Sequence, residues 1–146
     1  MMKRLLFVLI AISVLIGGSM IFSPPVRSEE NAKTAHVVAY YFHGSARCPT
    51  CHKLEQYSKE AMETNFKDLL ASGKLEYRVI NVEDKGNEHY GSDYQLYTKS
   101  LILSLVRDGK EVKWKNLDKI WEYVGNKQRF INYVKTGLAD LLKEAQ

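Results

Sequence analysis

From His36 to Glu55 the chain reads HVVAYYFHGSARCPTCHKLE. Its first eight residues, His36 to His43, form an apolar, β-branched and aromatic run with the composition of a buried strand. Beyond Thr50 the apolar period changes. Leu54, Tyr57, Ala61, Met62 and Leu69 share one face of a helix predicted over Thr50–Ala71, and Ser72-Gly73 supplies its C-terminal stop. Between strand and helix stands Cys48-Pro49-Thr50-Cys51, which holds both cysteines of the 146-residue chain. Two intervening residues let the sulfurs meet within one helical turn, so a reversible disulfide can close there. Cys48 at a helix start faces unpaired N–H groups and the positive end of the dipole, which favour a thiolate. Arg47 beside it, with His43 and His52 nearby, adds positive charge on the same side. Pro49 suits a first helical turn, where its missing N–H costs nothing. Cys51, one turn on, is placed as the resolving thiol that attacks a mixed disulfide.

The rest of the chain continues the alternation. Leu75–Val82 suits a second strand, and Glu83–Lys99 a polar, tyrosine-rich loop with a short helix around His89–Leu96. Leu101–Val106 (LILSLV) is a third strand, Arg107-Asp108-Gly109-Lys110 a hairpin turn, and Glu111–Lys115 an edge strand. Leu117–Val124 suits a short helix broken at Gly125-Asn126. Asn126 can cap a last helix whose apolar stripe is Phe130, Ile131, Val134, Leu138, Leu141 and Leu142. The predicted order is β-α-β-α-β-β-α. Tyr77, Tyr90, Tyr94 and Tyr97 are expected as packing residues, Trp114 and Trp121 as packing under the last helix, and His36 and His89 as isolated surface residues. Lys110, Lys113, Lys115 and Lys119 guard an exposed edge.

Composition bounds the function. The net charge of +4 is concentrated at the start: Lys3, Arg4 and Arg27 lie in the first 28 residues, which contain no Asp or Glu. The remainder carries 18 Lys and Arg against 17 Asp and Glu, which gives no basic face for nucleic acid. Two cysteines exclude a multi-disulfide scaffold and a four-cysteine zinc site. Leu5–Phe22 is uncharged behind Lys3 and Arg4, and Pro24-Pro25 follows. Residues 1–28 are therefore expected to be a signal peptide or a membrane-contacting anchor, 29–35 a linker and 36–146 one exported domain, periplasmic or at the cell surface.

Cys48-Pro49-Thr50-Cys51-His52 also has the CxxCH spacing of c-type haem attachment, with His52 as the axial ligand. The strands on both sides of it argue against a small helical cytochrome.

Residues 36–142 resemble a thioredoxin-fold domain, with Tyr40–Glu55 (YYFHGSARCPTCHKLE) as strand, active-site loop and helix start. More narrowly, this block is similar to the bacterial family of the nitrophenyl-compound nitroreductase subunit, ArsF-like. So are Val82–Tyr90 (VEDKGNEHY), the Ser100–Trp114 hairpin with its DGKE turn, and Ile120–Val124 (IWEYV). The resemblance implies an α/β domain with a central mixed sheet of about four strands flanked by helices. It also implies a Cys48/Cys51 dithiol that exchanges with a redox partner protein or a small thiol or disulfide. No cofactor is implied, since no glycine-rich phosphate loop is present to hold a flavin or nicotinamide nucleotide. Two positions depart from thioredoxin. The strand acid six residues before the first cysteine is Phe42 here, and the cis-proline site falls at Lys99-Ser100-Leu101, where a trans peptide is expected. Without that proline, His43, Cys48, Cys51 and His52 could instead offer a mixed N/S set to zinc, copper or an arsenical. With no carboxylate between Tyr40 and Leu54 to oppose Arg47, the pair is expected to be more oxidising than thioredoxin.

Overall fold

The computed structural model describes residues 35–145, so the signal or anchor segment expected over 1–28 lies outside the described residues. The elements are β1 (Ala35–His43), α1 (Pro49–Asn65), α2 (Lys67–Ala71), β2 (Leu75–Asn81), α3 (His89–Asp93), β3 (Ser100–Arg107), β4 (Lys110–Asn116), α4 (Ile120–Tyr123) and α5 (Lys127–Glu144). No helix of the described residues is long and apolar enough to cross a membrane.

The four strands make one sheet in the order β2-β1-β3-β4. β1 and β2 run parallel, which the α1–α2 crossover between them requires. β3 is antiparallel to β1 and to β4. Asp108 and Gly109 both take positive φ, 53° and 73°, as a two-residue hairpin turn of the primed type demands.

Side chains alternate across β1 and create two apolar layers. Val37, Ala39 and Tyr41 face α1 and α5 and are buried with Leu54, Met62, Leu103, Phe130, Val134 and Leu138. Phe42 faces the other way and is buried with Tyr94 and Ile102, flanked by Tyr40, Tyr90 and Trp114. The first layer is closed by two long helices. Among the described residues the second is covered by the short α3 and its loops, and aromatic rings supply most of its bulk.

Three expectations are corrected. The long helix over Thr50–Ala71 is two helices, broken at Phe66 (φ −136°, ψ 30°). Asn65 Nδ2 donates to Ala61 O at 2.8 Å, competing for a helix carbonyl, while Phe66 packs against the core. Trp114 does not lie under α5. Its register opposite Ser104 puts it on the Phe42 face, edge-on to Tyr94 at 5.5 Å. Tyr97 is not a packing residue, being 94% exposed. Asn126 caps α5 as expected, its Oδ1 accepting from Arg129 N at 3.0 Å.

Candidate active site

Cys48 and Cys51 are joined as a disulfide with Cα atoms 5.1 Å apart. Cys48 is the N-cap of α1: its backbone is extended, and its sulfur accepts from Cys51 N at 3.3 Å. Pro49 occupies the first turn behind it. Cys48 is exposed and Cys51 is 2% exposed, so the two sulfurs differ sharply in access. Thr50 is half-buried within the first turn. Beneath the pair lies Tyr41, whose hydroxyl donates to Cys51 O at 2.8 Å. Burial pushes the Tyr41 phenol up to about 12, so it stays a donor through the neutral range. Phe42, six residues before Cys48, points to the opposite layer, and strand alternation therefore puts Tyr41 under the disulfide.

A mixed sheet with a closed CxxC disulfide where β1 passes to α1 is what the resemblance in the sequence implies. The described residues form a mixed four-stranded sheet with helices against it, the α/β architecture that the resemblance implies. No family model matches the chain, and no curated protein matches it. Among solved structures, the thioredoxin of Fasciola hepatica aligns over 78% of this chain and 84% of its own, at 16% identity and a TM-score of 0.43. Thioredoxin O2 of Arabidopsis thaliana covers 66% of this chain and 76% of its own, at 9% identity and a TM-score of 0.39. Thioredoxin f2 of Chlamydomonas reinhardtii covers 68% and 84%, at 17% identity and a TM-score of 0.33.

Around the disulfide, several charges sit differently from expectation. Arg47 is not free: its guanidinium pairs with Glu55, one turn past Cys51 on α1. Its Nε is buried without a hydrogen-bond partner among the described residues. A second carboxylate, Glu83, reaches in from just past the end of β2 and accepts from Ser45 N at 3.1 Å. The expectation that no carboxylate opposes Arg47 is therefore wrong. The carboxylate-free stretch ends one residue short of Glu55, and Glu83 is 38 positions from its contact.

His43 is half-buried with Nδ1 against Gly44 O at 3.0 Å, whereas His52 is exposed on α1. Among the described residues no three His, Cys, Asp or Glu side chains gather as a metal set, so His43, Cys48, Cys51 and His52 are not brought together. Haem attachment fits no better, because a thioether to Cys51 needs an open sulfur and this one is buried. His36 and His89 are not isolated: they pair with Glu76 at 3.6 Å and Asp93 at 2.7 Å.

A cavity of about 190 Å³ opens at the C-terminal ends of β1 and β2, walled by Phe42, His43, Gly44, Glu83, Tyr97 and Lys99 among others. In open α/β sheets ligands bind at this end of the strands. The Lys99 stretch, where thioredoxins carry their cis-proline, has no cis bond. Trp121 Nε1 holds it by donating to Lys99 O at 2.9 Å.

Proposed function

We propose that this chain is an exported thiol–disulfide oxidoreductase that exchanges its Cys48–Cys51 pair with a partner protein or a small thiol or disulfide. One observation carries the reading: a disulfide joins an exposed sulfur capping α1 to a sulfur that is 2% exposed beneath it. In the reducing direction the Cys48 thiolate attacks a partner disulfide, forming a mixed disulfide and releasing one partner thiolate. The Cys51 thiolate then attacks the Cys48 sulfur, closing the 48–51 bond and releasing the second partner thiolate. Two electrons pass to the partner, and the reverse sequence oxidises a dithiol. The helix N-terminus favours charge on Cys48, and the closeness of Cys51, its Cα 5.1 Å away, favours capture of the intermediate over escape. The resemblance to the nitrophenyl-compound nitroreductase subunit, ArsF-like, is consistent with a subunit that serves a redox partner, and the dithiol supplies the chemistry.

Trapping tests this. The full chain carrying Cys51→Ser should accumulate mixed disulfides through Cys48 outside the cytoplasm, resolved by reductant on a gel, and Cys48→Ser should accumulate none. Equal trapping by both variants, or by neither, would overturn the assignment.

A further inference from the structure

The four residues between β1 and Cys48, Gly44 to Arg47, carry the attacking sulfur, and each end is tied to a carboxylate from another element. At the Cys48 end Arg47 pairs with Glu55 of α1. At the β1 end Ser45 N–H donates to Glu83 Oε2 at 3.1 Å, and Asn81 Nδ2 donates to Ser45 Oγ at 3.1 Å. Asn81 in turn accepts from Glu83 N at 3.1 Å, and Val82 N donates to His43 O at 2.9 Å. The Glu83 carboxylate closes over Gly44: a methyl group there would come within 2.5 Å of Glu83 Oε1. Gly44 has no positive φ, so the open space left for the carboxylate is what the missing side chain provides. The contact is tight and complementary although Glu83 is exposed.

We propose that Glu83 is a positioning residue for Cys48, holding the Gly44–Arg47 loop through Ser45 and Gly44 so that the Cys48 sulfur stays at the N-cap of α1. This rests on Cys48 being the attacking thiol and adds the device that keeps it in place. Hydrogen bonding from Ser45 also holds the Glu83 carboxyl below its ordinary value, so the acceptor is ionised under ordinary conditions. An exposed contact of this kind contributes little to global stability. Its effect is therefore on the reactivity and potential of the pair and not on melting. With the loop released, Cys48 leaves the cap for part of the time and loses the favourable field of the helix end.

The test is a cycle on the reduced full-length chain, read as the rate of Cys48 alkylation near neutral pH and as the reduction potential against glutathione, which should fall wherever alkylation slows. Glu83→Ala should slow alkylation about two- to five-fold, the size of a helix-end effect on an exposed charge, with the melting temperature unchanged. Glu83→Gln keeps an oxygen for Ser45 N–H and should stay near the wild-type rate. Gly44→Ala evicts the carboxylate without deleting it and should match Glu83→Ala. The double variant Gly44→Ala/Glu83→Ala should be no slower than either single one. Equal slowing by Gln and Ala would show that an oxygen kept for Ser45 N–H does not hold the loop, and would overturn the proposal. So would additive slowing in the double variant, or an unaltered rate in Glu83→Ala. If Cys51→Ser traps no partner at all, the oxidoreductase reading falls and takes this one with it.

Discussion

Arg47 directly precedes the exposed cysteine, and in the sequence its charge meets no carboxylate before Glu55. In the folded chain that next carboxylate is its partner, because residue 55 lies one helical turn beyond Cys51 and faces the returning loop. A neutralised guanidinium stabilises a neighbouring thiolate far less than a free one, so the expected oxidising poise is held back. Two substitutions separate the charges. Glu55→Gln frees the guanidinium, favours the Cys48 thiolate and therefore the reduced form, and should raise the potential. Arg47→Ala leaves an unpaired carboxylate and should lower it. The expected size is roughly 10–20 mV each way, since about 30 mV corresponds to about 1.4 kcal/mol and a partly screened charge contributes about 0.5–1 kcal/mol. Glutathione titration of both variants measures this, and a potential unmoved or lowered by Glu55→Gln would show that Glu55 does not restrain Arg47.

The elements that could be read from the sequence are those whose signal is local. β1 and β3 were visible as apolar runs, the hairpin as Asp108-Gly109, and α5 as a 3.6-residue stripe behind an Asn126 cap. The CxxC position at a strand-to-helix junction was visible for the same reason, and so was the deeper placement of Cys51. What escaped depends on pairing across the chain. The face taken by Trp114 follows from strand register, which includes an irregularity between Leu105 and Val106. The Glu83 contact joins residues 38 positions apart, and no periodicity encodes it. Gly137 is another such case, since a glycine inside α5 is locally unfavourable. A methyl group at Gly137 would meet Leu117 Cδ2 at 2.8 Å, and Leu117 is fully buried. Gly137→Ala gains about 1 kcal/mol of helix propensity and incurs about 1–3 kcal/mol of overpacking, so net destabilisation is expected. In a Leu117→Ala background, Gly137→Ala should become neutral or stabilising in urea unfolding. Stabilisation by Gly137→Ala alone would mean that Leu117 can move aside.

For the molecule as a whole, the buried tyrosines give a prediction for the alkaline limit. Tyr40, Tyr41, Tyr77, Tyr94 and Tyr133 all have phenols raised above their ordinary value, and burial is the first cause in every case. They span both layers: Tyr41 lies under the disulfide, Tyr77 donates to Glu55 O at 3.2 Å, and Tyr94 donates to Glu111 Oε2 at 2.6 Å. An unfolded tyrosine releases its proton near pH 10, whereas the folded Tyr41 keeps its own to about 12. Between those values the folded state binds more protons than the unfolded one, so stability falls as pH rises. The contribution is fully present below about pH 10 and is lost through about pH 12. Tyr41 alone accounts for up to about 1.4 kcal/mol lost by pH 11, and the other four act in the same direction. The oxidised domain should therefore show a urea midpoint that is flat to about pH 9 and falls steeply above 10, with tyrosinate absorbance appearing together with loss of helical signal. Tyr41→Phe should start from a lower midpoint, having lost the bond to Cys51 O, and should decline less steeply. Tyrosinate absorbance rising near pH 10 in a protein that stays folded would show that these phenols titrate freely and that the buried layers do not control the alkaline transition.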